Sequence, residues 1–312
     1  MTNTEKWAVI INPQAGNKQA SIEWEHISDS LTRAGFLFDA VFTEAPFHAV
    51  QLAKDFVRRS YRNFIIVGGD GTLSEVVHAI FSLPNEIYKE ITLSLIPCGT
   101  GNDWARFWKI SHDIDESIAI LKKGKKVSVD VGTVTIITKQ GFVDTRHFVN
   151  ALGIGFDACV VKNTNSFRAI FGGKSWVYTL SILKVLFNYR AKRIKVTFDN
   201  GETINQKMYT ISFGNGCYTG GGIKQTPDAL PNDGVFDVMM VEGLSLSKLI
   251  RGVYLLFKGK LQQHTSVRII KTKQCTITSS NLFSVEIDGI SLPDTSSASV
   301  NIIPCSLQFI IP

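Results

Sequence analysis

Short apolar runs alternate with helical patterns along the first 125 or so residues, and this alternation restricts the possible folds more than any other feature. Each run is followed by a segment with apolar residues at helical spacing. The runs that we predict as strands are residues 7–11, 36–43, 63–67 and 91–96. Strands that alternate with helices imply crossover connections and a mostly parallel sheet. Ligands of such sheets bind beyond the carboxyl ends of the strands.

The first two helical patterns carry clear apolar faces. The first has Ile22, Ile27, Leu31 and Ala34 on one side and is expected to end at Gly35. The second carries residues whose spacing also fits one helix face, namely Ala49, Leu52, Ala53, Phe56 and Val57. Both helices are therefore expected to pack on the sheet.

The chain after residue 126 is predicted to be mainly β. Its strand-like runs are 127–137, 148–151, 193–198, 208–213, 235–241, 267–271, 275–278 and 283–287. Asn200-Gly201 predicts a hairpin, and helical patterns occupy 174–187 and 247–258. We therefore expect an α/β protein with an N-terminal Rossmann-like domain, residues 1–124, and a C-terminal β-rich sandwich domain, residues 125–299. Residues 300–312 are expected to return to the first domain.

Composition excludes several classes of protein. The 312 residues are 44% apolar, which is enough for a core in each of two domains and excludes a disordered chain. The five cysteines form no C-x-x-C pair, so neither a zinc site nor a disulfide framework is expected. The apolar stretch 176–187 is too short to span a bilayer, and we expect a cytoplasmic protein without a secretion signal. The net charge of +6 is mild, and it falls short of the basic charge runs that are typical of nucleic-acid-binding proteins.

A glycine-rich turn, Gly68-Gly-Asp-Gly-Thr72, follows the third predicted strand and opens a helix. Glycines let the backbone approach a phosphate chain, and the helix N-terminus presents unpaired N–H groups. Asp70 is a poor direct ligand for phosphate, so we expect it to act through a metal ion or as an acid or base. The alternative is an ordinary turn in which Asp70 only caps the helix.

A second turn of the same kind, residues 97–103, follows the next strand. Thr100 and Asn102 offer side-chain donors there, and Asp103 starts a helix. Residues 12–16 form a third candidate turn after the first strand. Because the carboxyl ends of neighbouring parallel strands share one edge of a sheet, we expect the turns to face one crevice. Residues 153–158 fit the dinucleotide pattern G-x-G-x-x-A, but no acidic residue lies about 20 positions further on, so we do not assign it that role.

Together these segments resemble the catalytic domain of the diacylglycerol kinase and sphingosine kinase superfamily, especially its soluble bacterial lipid kinases. Gly-Gly-Asp-Gly-Thr alone also occurs in NAD kinases and phosphofructokinases. The resemblance covers most of the chain, and the residues that carry it are Asn12, Pro13, Gly16, Thr43, Gly68–Thr72, Pro97–Asp103, Arg106, Phe148, Asn150, Gly153, Gly155, Phe156, Asp157, Gly220–Gly222, Pro227, Leu230, Asp233, Gly234 and Val235.

The resemblance implies an ATP-dependent phosphotransferase with a lipid hydroxyl as the acceptor, diacylglycerol first and a sphingoid base second. ATP would lie between the domains, and the second domain would bind the acceptor. Asp70 and Asp103 would be the catalytic carboxylates. The residues that would surround ATP are Asn12, Thr43, Gly68, Gly69, Asp70, Gly71, Thr72, Leu73, Ser74, Glu75, Gly99, Thr100 and Asn102.

The resemblance also implies a structural Mg²⁺ in the second domain. Leu230 and Val235 would offer backbone carbonyls to the ion, and Asp233 would offer its carboxylate. These ligands form an oxygen-only set, as a hard cation requires.

The chain departs from the family at the presumed general base. Members usually carry Asp-Gly-Glu near the end of the second domain, whereas this chain has Asp288-Gly-Ile290. Glu286 is expected on the same strand face as Ile290, about 13 Å away along an extended chain, which makes it a poor substitute. Three alternatives follow: a lipid kinase that uses another group, a nucleotide- or lipid-binding protein without turnover, and a polyol or NAD kinase.

Two basic apolar segments, 178–193 and 248–260, suggest transient contact with an anionic membrane surface. The competing interpretation is that each is a helix packed on the β domain with its lysines in water. A homodimer is left open, and no nucleic-acid partner is expected.

Overall fold

The computed structural model describes residues 6–171, 176–243 and 245–312, and the chain divides into two compact units. Unit 1 takes the chain up to Val129 together with Cys305–Pro312, and unit 2 takes Asp130–Pro304.

Unit 1 contains alternating strands and helices, as the sequence predicts. Its strands are β1 Trp7–Ile11, β2 Phe38–Phe42, β3 Asn63–Gly68 and β4 Thr92–Pro97. Its helices are α1 Ala15–Ile22, α2 Trp24–Arg33, α3 His48–Arg58, α4 Asp70–Phe81, α5 Asp103–Trp108 and α6 Ile114–Lys123, with a 3₁₀ turn at Ile87–Glu90.

The sheet of unit 1 is parallel, which confirms the expectation from the alternating pattern. Its strand order is β4-β3-β1-β2, and Gln308 and Phe309 near the C-terminus add a further parallel pairing along β4. β1, β3 and β4 are almost fully buried, as near-continuous apolar runs in a parallel sheet must be. The order reverses at β1, so the crevice beyond the carboxyl ends of β1 and β3 is the expected ligand position.

The helix predicted after β1 differs from expectation. Two helices, α1 and α2, replace it, and Ile22 at their junction is 75% exposed instead of lying on the apolar face. The first turn of α1 is left-handed at Gly16, Asn17 and Lys18, with φ of 59°, 58° and 72°. The helix therefore does not begin with ordinary right-handed backbone. The left-handed turn brings the backbone of Gly16 close to Cys98, which directly follows β4.

Unit 2 is rich in β-structure. Its helices are α7 Phe156–Phe171, α8 Trp176–Asn188 and α9 Leu246–Phe257, with a 3₁₀ turn at Leu261–Gln263. β5 begins in unit 1 and β17 ends there, and the other strands lie wholly in unit 2. In chain order these strands are β5 Lys126–Thr138, β6 Val143–Phe148, β7 Ala151–Gly155, β8 Lys192–Phe198, β9 Thr203–Gly214, β10 Tyr218–Thr219, β11 Ile223–Lys224, β12 Phe236–Glu242, β13 Val267–Thr272, β14 Gln274–Phe283, β15 Val285–Ile287, β16 Ile290–Ser291 and β17 Thr295–Ile310.

The long strand β9 organises unit 2. It pairs in antiparallel fashion with β7, β8 and β12, and the β8–β9 connection is the hairpin predicted at Asn200-Gly201. Gly201 takes a positive φ of 83° there. Apolar side chains of β5 to β9, β12, β14, β15 and β17 form one core cluster. α7, α8 and α9 contribute to a second apolar cluster with β9 and β12.

Two parts of unit 2 differ from the sequence prediction. Residues 148–151 are not one strand, because β6 ends at Phe148 and β7 begins at Ala151. The carboxylate of Asp288 accepts the N–H groups of Val149, Asn150 and Ala151 at 2.8–3.0 Å, and so fixes this turn. Helix α7 was not anticipated, although it begins directly after the glycine pattern at 153–155.

Candidate active site

The three candidate turns of unit 1 meet at the carboxyl ends of β1, β3 and β4. A Cβ atom placed on Gly69 would lie 2.9 Å from the Cα atom of Gly99, and a Cβ on Gly16 would lie 2.1 Å from the carbonyl oxygen of Cys98. Contacts this short are possible only for glycine, because a side chain at either position would overlap backbone. The first turn, residues 68–72, and the third turn, residues 12–16, are therefore both packed against the second turn, residues 97–103.

Hydrogen bonds join the turns at their bases. The side-chain amide of Asn12 donates to Thr72 Oγ1 at 3.0 Å, and the backbone N–H of Asn12 donates to the Val67 carbonyl at 3.0 Å. Thr43 lies at the end of β2, where its N–H donates to the Ile11 carbonyl at 2.8 Å. Asn12, Thr43 and Thr72 are thus brought to one edge of the sheet, as the parallel order predicts.

Asp70 holds the neighbouring turn. Its two carboxylate oxygens accept the N–H groups of Asp103 at 2.9 Å and Trp104 at 3.1 Å, which are the first two residues of α5. Burial raises the pKa of Asp70, while these two amides and the charge of Arg106 act in the opposite direction. Its own helix α4 has no side-chain cap at Gly69. Asp70 therefore caps α5 and fixes the second turn relative to the first.

Glu75, one turn further along α4, does the same for α3. Its carboxylate accepts the N–H of Phe47 at 3.1 Å, at the start of α3. Burial raises the pKa of Glu75, against the lowering effect of the Phe47 and Ala49 amides. Phe47 has a left-handed φ of 65°. The two carboxylates of α4 thus cap the two helices that flank it, a pairing that no local sequence signal indicates.

Several of the predicted nucleotide residues are buried in unit 1. The Leu73 side chain is fully buried in the core, and its N–H donates to the Gly69 carbonyl. Ser74 is 1% exposed. Gly68 packs on Thr72, since a Cβ on Gly68 would lie 2.8 Å from Thr72 Oγ1. These residues pack beneath the turn, and their side chains do not lie at its open edge.

The second turn contains the other predicted residues. Thr100 is exposed, and Gly99 is half-buried. Asn102 is left-handed with φ of 50°, and its side-chain amide donates to the Gly99 carbonyl at 2.8 Å. Asp103 is buried, with Oδ1 3.9 Å from Nε of Arg106. The side-chain oxygen of Asn102 is also buried, and it has no hydrogen-bond partner among the described residues.

The open part of the site is the N-terminus of α4. A Cβ on Gly71 would meet nothing within 4 Å, so the backbone is approachable at this position. The N–H groups of a first helical turn have no partner within their helix, and they carry the positive end of the helix dipole. The residues present at this edge therefore fit a phosphate chain, which needs N–H donors and close approach to backbone.

The predicted Mg²⁺ residues lie in unit 2, and a cationic side chain contacts them. Asp233 Oδ2 is 3.0 Å from Lys271 Nζ, and Asp233 Oδ1 accepts the N–H of Val235 at 3.2 Å. The Leu230 side chain is half exposed. Both carboxylate oxygens are already engaged, one of them by an ammonium group. The residues present do not fit a divalent ion held by Asp233.

Ile290 and Glu286 lie in a tight hairpin, and this corrects the expectation that they share a strand face. Asp288 and Gly289 form its turn, with φ of 46° and 82°. β15 and β16 pair Ile287 with Ile290 and Glu286 with Ser291. Because paired residues point to the same face, Glu286 and Ile290 point to opposite faces. Ile290 packs on the apolar core cluster of unit 2, whereas Glu286 faces Gly153.

Glu286 belongs to a buried acidic group that the sequence did not indicate. Burial raises its pKa to about 8, helped by the nearby charges of Asp288 and Asp157, against the N–H donated by Gly289. Burial also raises the pKa of Asp157, whose carboxylate accepts hydrogen bonds from Ser212 and Gln225. Glu286 is therefore protonated at neutral pH and is not a carboxylate base in this state.

Comparison with known proteins supports the interpretation of both units. Residues 6–134 match the model of the diacylglycerol kinase catalytic domain. Residues 150–311 match the model of the YegS C-terminal NAD kinase beta sandwich-like domain. The predicted α/β domain followed by a β-sandwich domain is thereby confirmed.

Among the described residues, no helix is both long and apolar enough to cross a bilayer.

Similar proteins carry related names. The chain is 28% identical over 292 residues to "Putative lipid kinase YtlR" of Bacillus subtilis, covering 91% of this chain and 92% of that protein. It is 27% identical over 282 residues to a diacylglycerol kinase of Staphylococcus saprophyticus, covering 90% of this chain and 87% of that protein.

A solved structure gives the same result for the fold. The crystal structure of a putative diacylglycerol kinase from Bacillus anthracis superimposes with a TM-score of 0.80 at 25% identity, over 99% of this chain and 97% of that one. Both domain matches and this shared fold lead to one assignment. The chain belongs to the diacylglycerol kinase family of bacterial lipid kinases, whose catalytic domain is followed by a YegS-type C-terminal domain.

Proposed function

We propose that the protein transfers the γ-phosphoryl group of ATP to a lipid hydroxyl, with diacylglycerol as the first acceptor to test and a sphingoid base as the second. One observation carries the proposal: the Gly69 and Gly99 turns pack backbone on backbone, and Asp70 joins them by capping α5. An arrangement of this kind aligns N–H donors along one edge of the sheet. The names of the relatives support the same reaction class.

ATP would bind through backbone and polar groups at the carboxyl ends of β1 to β4. Asn12, Thr43, Gly71 and Thr100 lie at this edge, and the N-terminus of α4 supplies N–H donors. ATP supplies the phosphoryl group when it is bound, and Mg²⁺ would accompany it. Phosphoryl transfer needs mainly alignment and charge neutralisation. In this proposal Asp70 is a positioning residue, because its carboxylate holds the second turn in place.

A second candidate, nucleotide or lipid binding without turnover, rests on Ile290. An aliphatic side chain cannot accept a proton, and Ile290 packs on the apolar core cluster. Glu286 lies on the opposite face of the hairpin and is protonated at neutral pH. Neither residue is therefore an ionised carboxylate at the position where the family usually has its glutamate.

One assay separates these candidates. Purified protein is incubated with labelled ATP, Mg²⁺ and dispersed diacylglycerol, and the lipid fraction is analysed for phosphatidate. We expect labelled phosphatidate that depends on the protein. ATP binding without transfer to diacylglycerol or a sphingoid base would favour the second candidate, and Ile290→Glu is then tested for a gain in rate. Label transferred to NAD or to a soluble polyol, with no lipid product, would replace the lipid acceptor in the proposal.

Contact with an anionic membrane surface is the second part of the proposal. α8 and α9 both pack on the same apolar cluster of unit 2 and leave a second apolar stripe exposed on each helix. The stripe residues are 39–61% exposed, and they are Leu180, Leu183 and Phe187 on α8, and Ile250, Tyr254 and Phe257 on α9. Apolar residues repeated on the solvent side of a helix are unusual for a protein surface and typical of interfacial helices.

Charge supports an anionic bilayer as the partner of this surface. Residues 158–198 contain eight Lys and Arg and no Asp or Glu, and residues 243–285 contain seven and none. These two segments include α8 and α9. Together these charges exceed the net +6 of the whole chain, so the sequence that includes α8 and α9 is strongly basic, although Lys271 is paired with Asp233. Such a surface complements a negatively charged bilayer, which also contains the lipid acceptor.

Vesicle flotation tests this surface. Wild-type protein is expected to float with vesicles of phosphatidylglycerol and phosphatidylcholine in equal parts, but not with phosphatidylcholine alone. Leu183→Glu combined with Phe257→Glu should abolish flotation. Phe142→Glu is the matched control, because Phe142 is 72% exposed but lies on the β5–β6 turn. Equal flotation of the double variant and the control would contradict this surface assignment without affecting the kinase proposal.

A further inference from the structure

We propose that Lys271 is the resident cation of the loop that precedes β12, and that this loop folds without a bound divalent metal ion. The loop is residues 226–235, and it includes the three residues that the family resemblance assigns to Mg²⁺. Lys271 reaches it from β13, the strand paired with β12. The inference concerns the fold of unit 2, and does not depend on the proposed kinase reaction or on the Mg²⁺ that accompanies ATP.

Asp233 is already satisfied. One carboxylate oxygen is 3.0 Å from the Lys271 ammonium, and the other accepts the N–H of Val235. A divalent ion needs at least one carboxylate oxygen facing it at short range, with further oxygen ligands around it. Such an ion would have to enter beside a positive charge that already contacts the same carboxylate, and the two cations would repel each other.

Asp237 is a second carboxylate partner of Lys271. Its side chain is 4% exposed, and its Oδ2 is 3.2 Å from Lys271 Nζ. The register of β12 and β13 pairs Asp237 directly with Lys271, so strand pairing fixes this contact. A buried carboxylate needs a positive partner, and no other ion pair to Asp237 is found among the described residues. The ammonium therefore contacts one buried and one partly buried carboxylate at once.

The loop is also closed by ordinary hydrogen bonds. Asp130 donates its N–H to the Pro231 carbonyl at 2.7 Å, and its carboxylate accepts the N–H of Gly234 at 2.8 Å. Asp130 is fully buried. Together with the Asp233–Lys271 pair, these contacts hold both ends of the segment 231–234. No ligand is needed to explain why the loop keeps its shape.

The test measures stability and not activity. Nucleotide-free protein is treated with EDTA, and its melting temperature is then compared in EDTA and in millimolar MgCl₂ at matched ionic strength. The variants are Asp233→Asn, Lys271→Met and Lys271→Arg. Methionine keeps much of the lysine stem but removes the charge, and arginine keeps the charge.

We expect no Mg²⁺-dependent shift for wild type beyond that of Asp233→Asn. Lys271→Met should melt about 4 °C lower than wild type in EDTA, and Lys271→Arg should recover most of this loss. A rise in the wild-type melting temperature with Mg²⁺ that disappears in Asp233→Asn would overturn the proposal. Equal melting temperatures of Lys271→Met and wild type in EDTA would also overturn it. If Lys271→Met does not fold, the wild-type and Asp233→Asn comparison decides alone.

Discussion

Two Asp-Gly turns of this protein look alike in sequence but differ in what their carboxylates contact. Asp70-Gly71 lies in unit 1, and Asp70 accepts two backbone N–H groups from the start of α5. Asp233-Gly234 lies in unit 2, and Asp233 pairs with the Lys271 ammonium. The family resemblance implies a catalytic role for the first aspartate and a Mg²⁺ ligand role for the second. The structure assigns the first to capping a helix and the second to an ion pair within the protein.

The difference shows that the chemistry of an aspartate depends on the groups that face it. Around Asp70 the partners are N–H dipoles, and the adjacent N-terminus of α4 is still open for an anionic ligand. At Asp233 an ammonium group already contacts one carboxylate oxygen, so a further cation at that oxygen is disfavoured. Unit 1 is therefore the place to look for ligand binding, and the Asp233 loop is a place to look for structural stability.

The largest expected effect is on the Asp70 side of this comparison. Asp70→Asn replaces one acceptor oxygen by an amide, so one N–H of α5 loses its partner and the second turn shifts. Because the shifted turn misaligns the reacting groups, we expect phosphoryl transfer to fall by about 100-fold, with a loss of about 1–2 kcal/mol in the free energy of unfolding. Initial rates with labelled ATP and urea unfolding measure the two effects.

Asp113→Asn is the matched control for Asp70→Asn. Asp113 caps α6 by accepting the N–H of Glu116 at 2.9 Å, and it lies outside the three turns. It should show a comparable loss of stability with transfer close to wild type. Wild-type rates in Asp70→Asn would remove Asp70 from the proposed site.

The next effect concerns a third acidic group, Glu286, which has neither a helix end nor a lysine as its partner. Its pKa is raised from 4.5 to about 8, so between these values the folded chain keeps a proton that the unfolded chain has released. The associated stability is present below pH 4.5 and is lost as the pH rises toward 8. By pH 7 the free energy of unfolding is lower by about 3 kcal/mol than below pH 4.5.

Glu286→Gln is a neutral mimic of the protonated side chain and sharpens this point. Urea unfolding midpoints from pH 5 to pH 8 should fall less steeply for the variant than for wild type. His147 titrates in both proteins, because burial lowers its pKa to about 4 in either background, so its effect cancels in the difference. Parallel pH profiles would show that Glu286 is ionised in the folded protein.

A smaller effect distinguishes two glycines of the same turn. Gly69→Ala places a Cβ 2.9 Å from the Gly99 Cα, so we expect a loss of about 2 kcal/mol in stability. Gly71→Ala meets open space and should unfold like wild type or slightly later, since Gly71 lies in a helix. Its ATP affinity should nevertheless fall, because the methyl group occupies the approach to the α4 N-terminus. Thermal unfolding and calorimetric ATP titration check both variants, and unchanged ATP binding in Gly71→Ala would argue against phosphate contact there.

The smallest effect tests the second cap made by α4. Glu75→Gln should lower the free energy of unfolding by about 1 kcal/mol, because a neutral amide is a weaker cap than a carboxylate at the start of α3. Hydrogen exchange of the first turn of α3 should increase in this variant. No change at α3 would show that the carboxylate of Glu75 does not stabilise this helix.

The sequence predicts the local part of this picture well. Apolar runs predicted the strands of unit 1 and their parallel direction, and glycine after two successive strands indicated where the turns meet. The sequence could not predict the partners of the carboxylates. Asp70 meets Asp103, and Asp233 meets Lys271, only in the tertiary fold. The hairpin at Asp288-Gly289 was not predicted either. Its two-residue turn places Ile290 on the face opposite Glu286, whereas a continuous strand would have placed both on one face.

Hydrogen exchange with and without ATP and Mg²⁺ tests the central claim most directly, because it reports on backbone amides in all three turns at once. We expect ATP to slow exchange in residues 12–18, 68–75 and 99–104, and to leave the loop 226–235 unchanged. ATP binding that protects none of these three turns would contradict the account.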